Sequence, residues 1–167
     1  MLKQFLFFLS LVGLIFFAAC SENTLEPDLN NEQDAVISKT TSMTNGSAAI
    51  ISVSSNQQSN QWEVRIDMPG DGGLVKFEYT IGGNELRQIR GLTPSFNYEI
   101  EPGNGLISYS SARVAALNAV DGNILEWKLE KDESDNNWQY RFEIESAGNN
   151  FEVRINAVTG TILRIKN

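Results

Sequence analysis

LISYSSARVAALNAVDGNILEWKLEKDESDNNWQYRFEIESAGNNFEVRINAVTGTILRIKN, residues 106–167, is the stretch whose reading decides the fold. Ser108 is placed to cap a helix, with Ile107 before it to staple onto Ala112. Ala112, Ala115, Ala116 and Ala119, with Val114 and Leu117, then predict a helix over Ser108–Ala119 with a small-residue face suited to close packing on a sheet. Asp121-Gly122 ends it, and the period changes to two. Leu125, Trp127 and Leu129 alternate with Glu126, Lys128 and Glu130. Trp138, Tyr140, Phe142 and Ile144 alternate with Gln139, Arg141, Glu143 and Glu145, and Phe151, Val153 and Ile155 with Glu152, Arg154 and Asn156. After the turn Ala157–Gly160 comes a last strand, Thr161–Lys166. One apolar and one charged face per strand predicts an α+β fold, an antiparallel sheet wet on one side and covered by the helix on the other.

These residues resemble a known family, the PepSY domain. The resemblance rests on the helix opening Ile107-Ser108 with its Ala112/Ala116 spacing, on Gly122, on the strand Trp138–Ile144, and above all on the ending FEVRINAVTGTILRI, residues 151–165. The family usually has Asp where this chain has Asn156. PepSY domains occur in propeptides of secreted metallopeptidases and in envelope proteins, so the resemblance implies a non-catalytic module that binds a protein, with a peptidase as one candidate partner.

The N-terminus reads as an export signal. Lys3 supplies a positive end, Phe5–Ala18 is an apolar run short for a membrane span, and Ala18-Ala19-Cys20 closes it with small residues. The arrangement is similar to a bacterial lipoprotein signal over residues 1–19. Cys20 would carry the lipid and become the mature N-terminus, although Phe17 stands where Leu is usual. Ser21 fits sorting to the outer membrane, on its periplasmic or surface face. An ordinary signal peptide with an incidental cysteine is the alternative. Cys20 is the only cysteine, so no intramolecular disulfide forms and stability rests on the core. Removing residues 1–19 leaves 12 basic against 21 acidic residues, a net charge near −9. Such a chain has no electrostatic footprint for nucleic acid, and would reach a membrane through its lipid rather than its charge.

Residues 20–45 read as a polar tether broken by Pro27, with Gln33–Lys39 too rich in β-branched residues to predict a helix. Residues 46–105 then read as a first, mostly β, PepSY-like unit with a connector. Residues 45–91 align without a gap on 121–167 at a constant offset of 76, with Trp62 on Trp138, Arg65 on Arg141, Gly46 on Gly122 and Ile89 on Ile165. The aligned unit would lack its helix, since Glu32–Met43 has a poor helical face. Leu92–Gly105 is turn-rich, with Phe96, Tyr98 and Ile100 alternating as a short edge strand.

No histidine occurs, and the lone cysteine is assigned to the lipid, which excludes Ser-His-Asp and Cys-His catalysis and His or Cys metal sites. No phosphate-binding Gly-rich loop opens a helix. No cofactor is expected and the protein is not expected to be an enzyme. Glu126, Glu143, Glu145 and Glu152 beside Lys128, Arg141 and Arg154 predict ion pairs across strands of a wet face. The loop Lys131–Asn137 is acidic but lacks the ligand alternation of a calcium loop, and reads as a solvated hairpin. The candidate binding surface is therefore the sheet, with Trp62, Trp138, Arg141, Glu143 and Arg154 named on it, and any open edge strand beside it. The tryptophans also fit the buried face, as large ends of the core. Besides a protein-binding module, two other roles fit the sequence: capture of a glycan or small envelope ligand on exposed tryptophans, and a structural part of an envelope assembly.

Overall fold

The structure, a computed structural model, describes residues 29–167 apart from 71, 94 and 95. The export segment, Cys20, and Asp71 and Pro94 of two predicted turns lie outside the described residues. The elements are α1 (Leu29–Met43), β1 (Ala49–Asn56), β2 (Gln61–Asp67), β3 (Leu74–Thr80), β4 (Leu86–Gly91), α2 (Tyr109–Ala119), β5 (Asn123–Lys131), β6 (Trp138–Ser146), β7 (Asn149–Asn156) and β8 (Ile162–Lys166). All strands join one antiparallel sheet in the order β1-β2-β3-β4-β5-β6-β7-β8, open at β1 and β8. The α+β class and the one-sided sheet read from the sequence are what is found.

The strand alternation builds the core. Val64 and Ile66, Val75, Phe77 and Tyr79, Ile89, Trp127 and Leu129, Tyr140, Phe142 and Ile144, and Val153 and Ile155 are all fully buried on one face. α2 covers that face over β6, β7 and β8. Ser108 caps it as predicted, accepting from Ser111 N at 3.3 Å, and Ala112 and Ala116 let the helix lie close. Gly122 follows the helix because nothing larger fits: a Cβ there would stand 2.2 Å from the carbonyl oxygen of Glu145.

Three expectations are overturned. Residues 29–43, taken as part of the tether, form α1, so the unit ahead of residue 106 has its helix. Val36, Thr40 and Met43 fall at i, i+4 and i+7, one stripe that is buried against the sheet. Burial of that stripe outweighs the weak propensity of its β-branched residues. The Thr40 hydroxyl donates to Val36 O (2.9 Å), and the Tyr79 OH lies 2.7 Å from Thr40 Oγ1. The helix ends in left-handed Asn45 and Gly46, with Gly46 N donating to Thr41 O at 2.9 Å.

Second, Phe96–Ile100 is no strand. It is an irregular strap across the dry face, with Phe96 and Ile100 buried and the Tyr98 ring 5.1 Å from Tyr109. Trp127 Nε1 donates to the Tyr98 hydroxyl (2.9 Å), and Tyr109 OH to Phe96 O (3.1 Å). Burial pushes the phenols of Tyr98, Tyr109 and Tyr140 above their usual range, so they act as neutral hydrogen-bonding groups. Third, Leu125 does not continue the inward row. A bulge between Ile124 and Glu126 shifts the phase, leaving Leu125 44% exposed while Ile124 packs on the core.

The registers also correct the gapless alignment. β3–β4 and β7–β8 coincide at an offset of 76, bulge included: Phe77↔Ile89 matches Val153↔Ile165, and the shift at Glu78/Tyr79 matches that at Arg154/Ile155. β1 superposes on β5 only at 74, which brings the bulge at Ile51 onto that at Leu125, and β2 on β6 only at 78. Turns of different length absorb these shifts. The helices dock differently, α1 over β1 and β2 and α2 chiefly over β7.

Candidate functional site

Strand alternation puts the charged residues on the uncovered face, and the registers arrange them in rows. Arg65 stands directly opposite Lys76, Lys76 opposite Arg90, Arg90 opposite Lys128, Lys128 opposite Arg141, Arg141 opposite Arg154 and Arg154 opposite Arg164. A single file of cations thus crosses the sheet from β2 to β8, one per strand, at a strand spacing of roughly 4.8 Å. Acidic and amide residues flank it on one side as Glu63, Glu78, Gln88, Glu130 and Gln139. On the other side Glu126, Glu143 and Glu152 face one another in turn.

Like charges directly opposite are unfavourable, and the chain offsets them by pairing along the strand. Arg65–Glu63 (2.6 Å), Lys76–Glu78 (2.5 Å), Lys128–Glu130 (2.7 Å) and Arg154–Glu152 (2.8 Å) each join residues two apart. Diagonal pairs Arg90–Glu126 (3.1 Å), Lys76–Glu63 (3.6 Å) and Arg141–Glu152 (3.6 Å) cross between strands. Ion pairing on the wet face is present as expected, but along the cation file opposite positions carry the same sign, while at the edge Glu152 stands opposite Lys166. Arg90 Nε is buried without a partner among the described residues.

Around Arg154 the face closes into a cleft of about 420 Å³ beneath the 131–137 loop. The loop is anchored rather than merely solvated. Asp132 Oδ2 accepts from Gln139 Nε2 (2.8 Å) and Arg154 Nη1 (3.3 Å), while Oδ1 accepts from Ser134. The Ser134 hydroxyl and amide, with Gln139 and Arg154, hold the Asp132 carboxyl below its usual range. At Glu152 burial works upward, and the hydrogen bond and charge of Arg154 with the charge of Arg141 outweigh it, leaving the carboxyl low. Among the described residues no cluster of metal-ligating side chains occurs.

Of the five surface candidates, the structure brings Arg141, Glu143 and Arg154 together on this face. Trp62 is not part of it. That side chain is only 4% exposed, with Nε1–H donating to Glu32 Oε2 (3.0 Å); Glu32 Oε1 accepts from Gly82 N (3.1 Å), tying α1 to the β3–β4 turn. Trp138 is half-buried where β6 leaves the 131–137 loop, opposite Lys131, with Lys131 Nζ 5.6 Å from its ring centre, and lines a second cleft of about 560 Å³ with Lys39, Asn84 and Glu101. The cation file was missed by sequence reading. Its signal, the register of each hairpin, depends on turn lengths that alternation alone does not fix.

Comparison with known proteins now bears on this geometry. The family model described as peptidase propeptide and YPEB domain, PepSY, matches residues 106–166. Residues 106–166 are a PepSY domain. α2, the four strands after it and the β5–β8 part of the charged face all fall within it. The family is propeptide- and inhibitor-like and generally non-catalytic. A solved structure from Clostridium difficile 630, described as a "putative lipoprotein", is 17% identical and aligns over 83% of this chain and 88% of its own, with a TM-score of 0.38. At that score the likeness carries no inference here. No curated protein matches the sequence. Among the described residues no helix is long and apolar enough to cross a membrane.

Proposed function

We propose that this chain is a non-catalytic envelope lipoprotein, anchored by lipid on Cys20 at the outer membrane, whose PepSY domain binds a protein partner through the striped sheet face. The observation that carries the reading is the single file of cations between two acidic flanks, held in place by ion pairs before any partner arrives. Seven cations against a similar number of carboxylates leave the face near neutral, so it has little pull on a generic polyanion. A fixed stripe pattern instead selects a surface with the complementary pattern, since such electrostatics tune specificity and on-rate more than raw affinity. The PepSY family's description as a peptidase propeptide domain favours a secreted peptidase as that partner. Its restraint would follow from occlusion, without chemistry by this chain.

The test is affinity capture from the native cell envelope by the mature chain carrying Cys20→Ser. A control copy carries Arg141→Glu, Glu143→Arg and Arg154→Glu. A partner retained by the first and lost by the second is expected. If that partner is a peptidase, its progress curves should slow on titration with the chain. Equal retention by both copies would sink the role of the face. For the anchor, Cys20→Ser is expected to move the protein from the membrane to the soluble fraction; unchanged partitioning would overturn lipidation.

A second reading has one observation of its own. Partly buried Trp138 beside Asn84 and Glu101 offers an aromatic edge with polar neighbours, a combination suited to a glycan. Retention of envelope polysaccharide, lost on Trp138→Ala, would put this reading first.

A further inference from the structure

β8 is an edge strand whose counterpart within the same sheet is not. At the shared offset of 76, Gln88, Ile89 and Arg90 of β4 correspond to Arg164, Ile165 and Lys166 of β8, each in the same register against the preceding strand. β4 is covered on its outer edge by β5, which pairs Glu130 with Gln88, Leu129 with Ile89 and Lys128 with Arg90. That covering strand carries Glu126, Lys128 and Glu130 on the polar face, with Trp127 and Leu129 between them on the apolar one. Glu130 accepts from Gln88 Nε2 (2.9 Å), Glu126 pairs with Arg90, and Leu129 shields Ile89, which is 0% exposed. On β8 nothing among the described residues plays that part. Ile165 is 48% exposed, Ile162 41% and Leu163 54%. The cation file also loses its neutralising rule there. Every member from Arg65 to Arg154 has a carboxylate within 4 Å, whereas Arg164 has none among the described residues and is felt by Glu152 only through its charge, its neighbours two residues away being Ile162 and Lys166.

From these observations we infer that β8 takes a ninth strand from a partner: an extended segment with carboxylates on its polar face and apolar residues between them, placed as Glu126, Trp127, Leu129 and Glu130 of β5 are against β4. Its carboxylates meet Arg164 and Lys166 on the polar face, and its apolar residues cover Ile162 and Ile165 on the other. Main-chain hydrogen bonds supply affinity and the alternate side chains supply choice of partner. The same two cations act against a second copy of this chain, because two β8 edges laid together would confront Arg164 and Lys166 with their own kind. The inference rests on the protein-binding reading and names how such a partner would dock.

The probe is a capped synthetic peptide with the β5 sequence, residues 123–131, titrated into the mature chain carrying Cys20→Ser. A second peptide carries Glu126→Lys and Glu130→Lys. The first peptide is expected to bind with perturbations and new amide protection at residues 161–167. The second should bind at least ~10-fold more weakly. Arg164→Glu, an exposed substitution that leaves the core alone, should reverse the preference. No binding at about 1 mM peptide, binding that maps to β1 instead, or a preference unmoved by Arg164→Glu would each overturn the inference. The two proposals fail separately. Peptide docking on β8 without an envelope partner would leave the edge site standing and remove the function. A captured partner whose binding survives both Arg164→Glu and Ile165→Asp would do the reverse.

Discussion

At the residue scale, three sites convert geometry into measurable energies. Thr40 and Tyr79 join α1 to β3 through two buried hydroxyls. Thr40 already donates its one proton to Val36 O, so Tyr79 is the donor between them. The two deletions are therefore unequal. Thr40→Val strands a buried phenol and should cost about 2 kcal/mol, while Tyr79→Phe leaves Thr40 satisfied and should cost about 1 kcal/mol; urea denaturation of both variants checks the order. At Gly122 the obstacle is backbone, the Glu145 carbonyl 2.2 Å from where a Cβ would be. Gly122→Ala should then destabilise by about 2–3 kcal/mol, and a neutral result would mean that the α2–β5 corner yields. Asp132 and Glu152 both hold folded pKa values below the ordinary carboxylate range. A depressed acid contributes stability above its unfolded pKa and loses it as pH falls through the folded value. Stability should accordingly drop below about pH 4, and Asp132→Asn should flatten that drop. In a titration followed by NMR, the Asp132 carboxyl should have its midpoint below that of an exposed Asp in a short peptide; a midpoint at or above the peptide's would contradict the anchoring of the 131–137 loop.

Elements differ in how plainly the sequence announces them. α2 with Ser108 at its cap, and the inward rows of β2, β3, β6 and β7, were legible because each residue's face follows from its neighbours alone. α1 was not. Its stripe of Val36, Thr40 and Met43 is narrow, includes a threonine, and is stabilised by contacts with β1 and β2 and by Tyr79 of β3 that a local pattern does not display. The bulges at Ile51 and Leu125 were equally silent, since one extra residue reverses the faces without changing composition. Of the candidate site, the identity of its charges could be read, but their assembly in a file could not, because it is set by hairpin registers. If α1 is held by tertiary burial, a charge in its stripe should detach it. Val36→Asp should strip far-UV helical signal and expose Trp62, seen as a red-shifted fluorescence, while the PepSY domain keeps its amide protection. Global unfolding instead would show that α1 is integral to the whole sheet rather than to its first half.

Whole-molecule behaviour turns on the seam between β4 and β5, where only Gln88↔Glu130, Ile89↔Leu129 and Arg90↔Lys128 pair. So short a ladder would hold two independent units loosely. On the dry face, however, the strap and the PepSY domain interlock across it. Gly91 lets Trp127 and Phe96 close over its Cα: a Cβ there would lie 2.4 Å from Trp127 Nε1 and 2.7 Å from Phe96 Cε1. Trp127 is in turn 4.2 Å, centre to centre, from Tyr109 of α2 and bonded to Tyr98 of the strap. One core therefore runs under β2 to β7, and the sheet should melt as one body. Val64→Ala in β2 and Val153→Ala in β7 should each remove about 2 kcal/mol and lower the same single calorimetric transition, by ~2–4 °C per kcal/mol. Amide exchange should slow or quicken in both halves together in either variant. Gly91→Ala is the decisive third case, since it strikes the interlock and neither half's own core. If the seam couples the halves, this substitution should broaden the melt or split it in two while each half keeps its own protected amides. A single sharp melt at an unchanged temperature would show that the aromatic interlock contributes nothing to cooperativity.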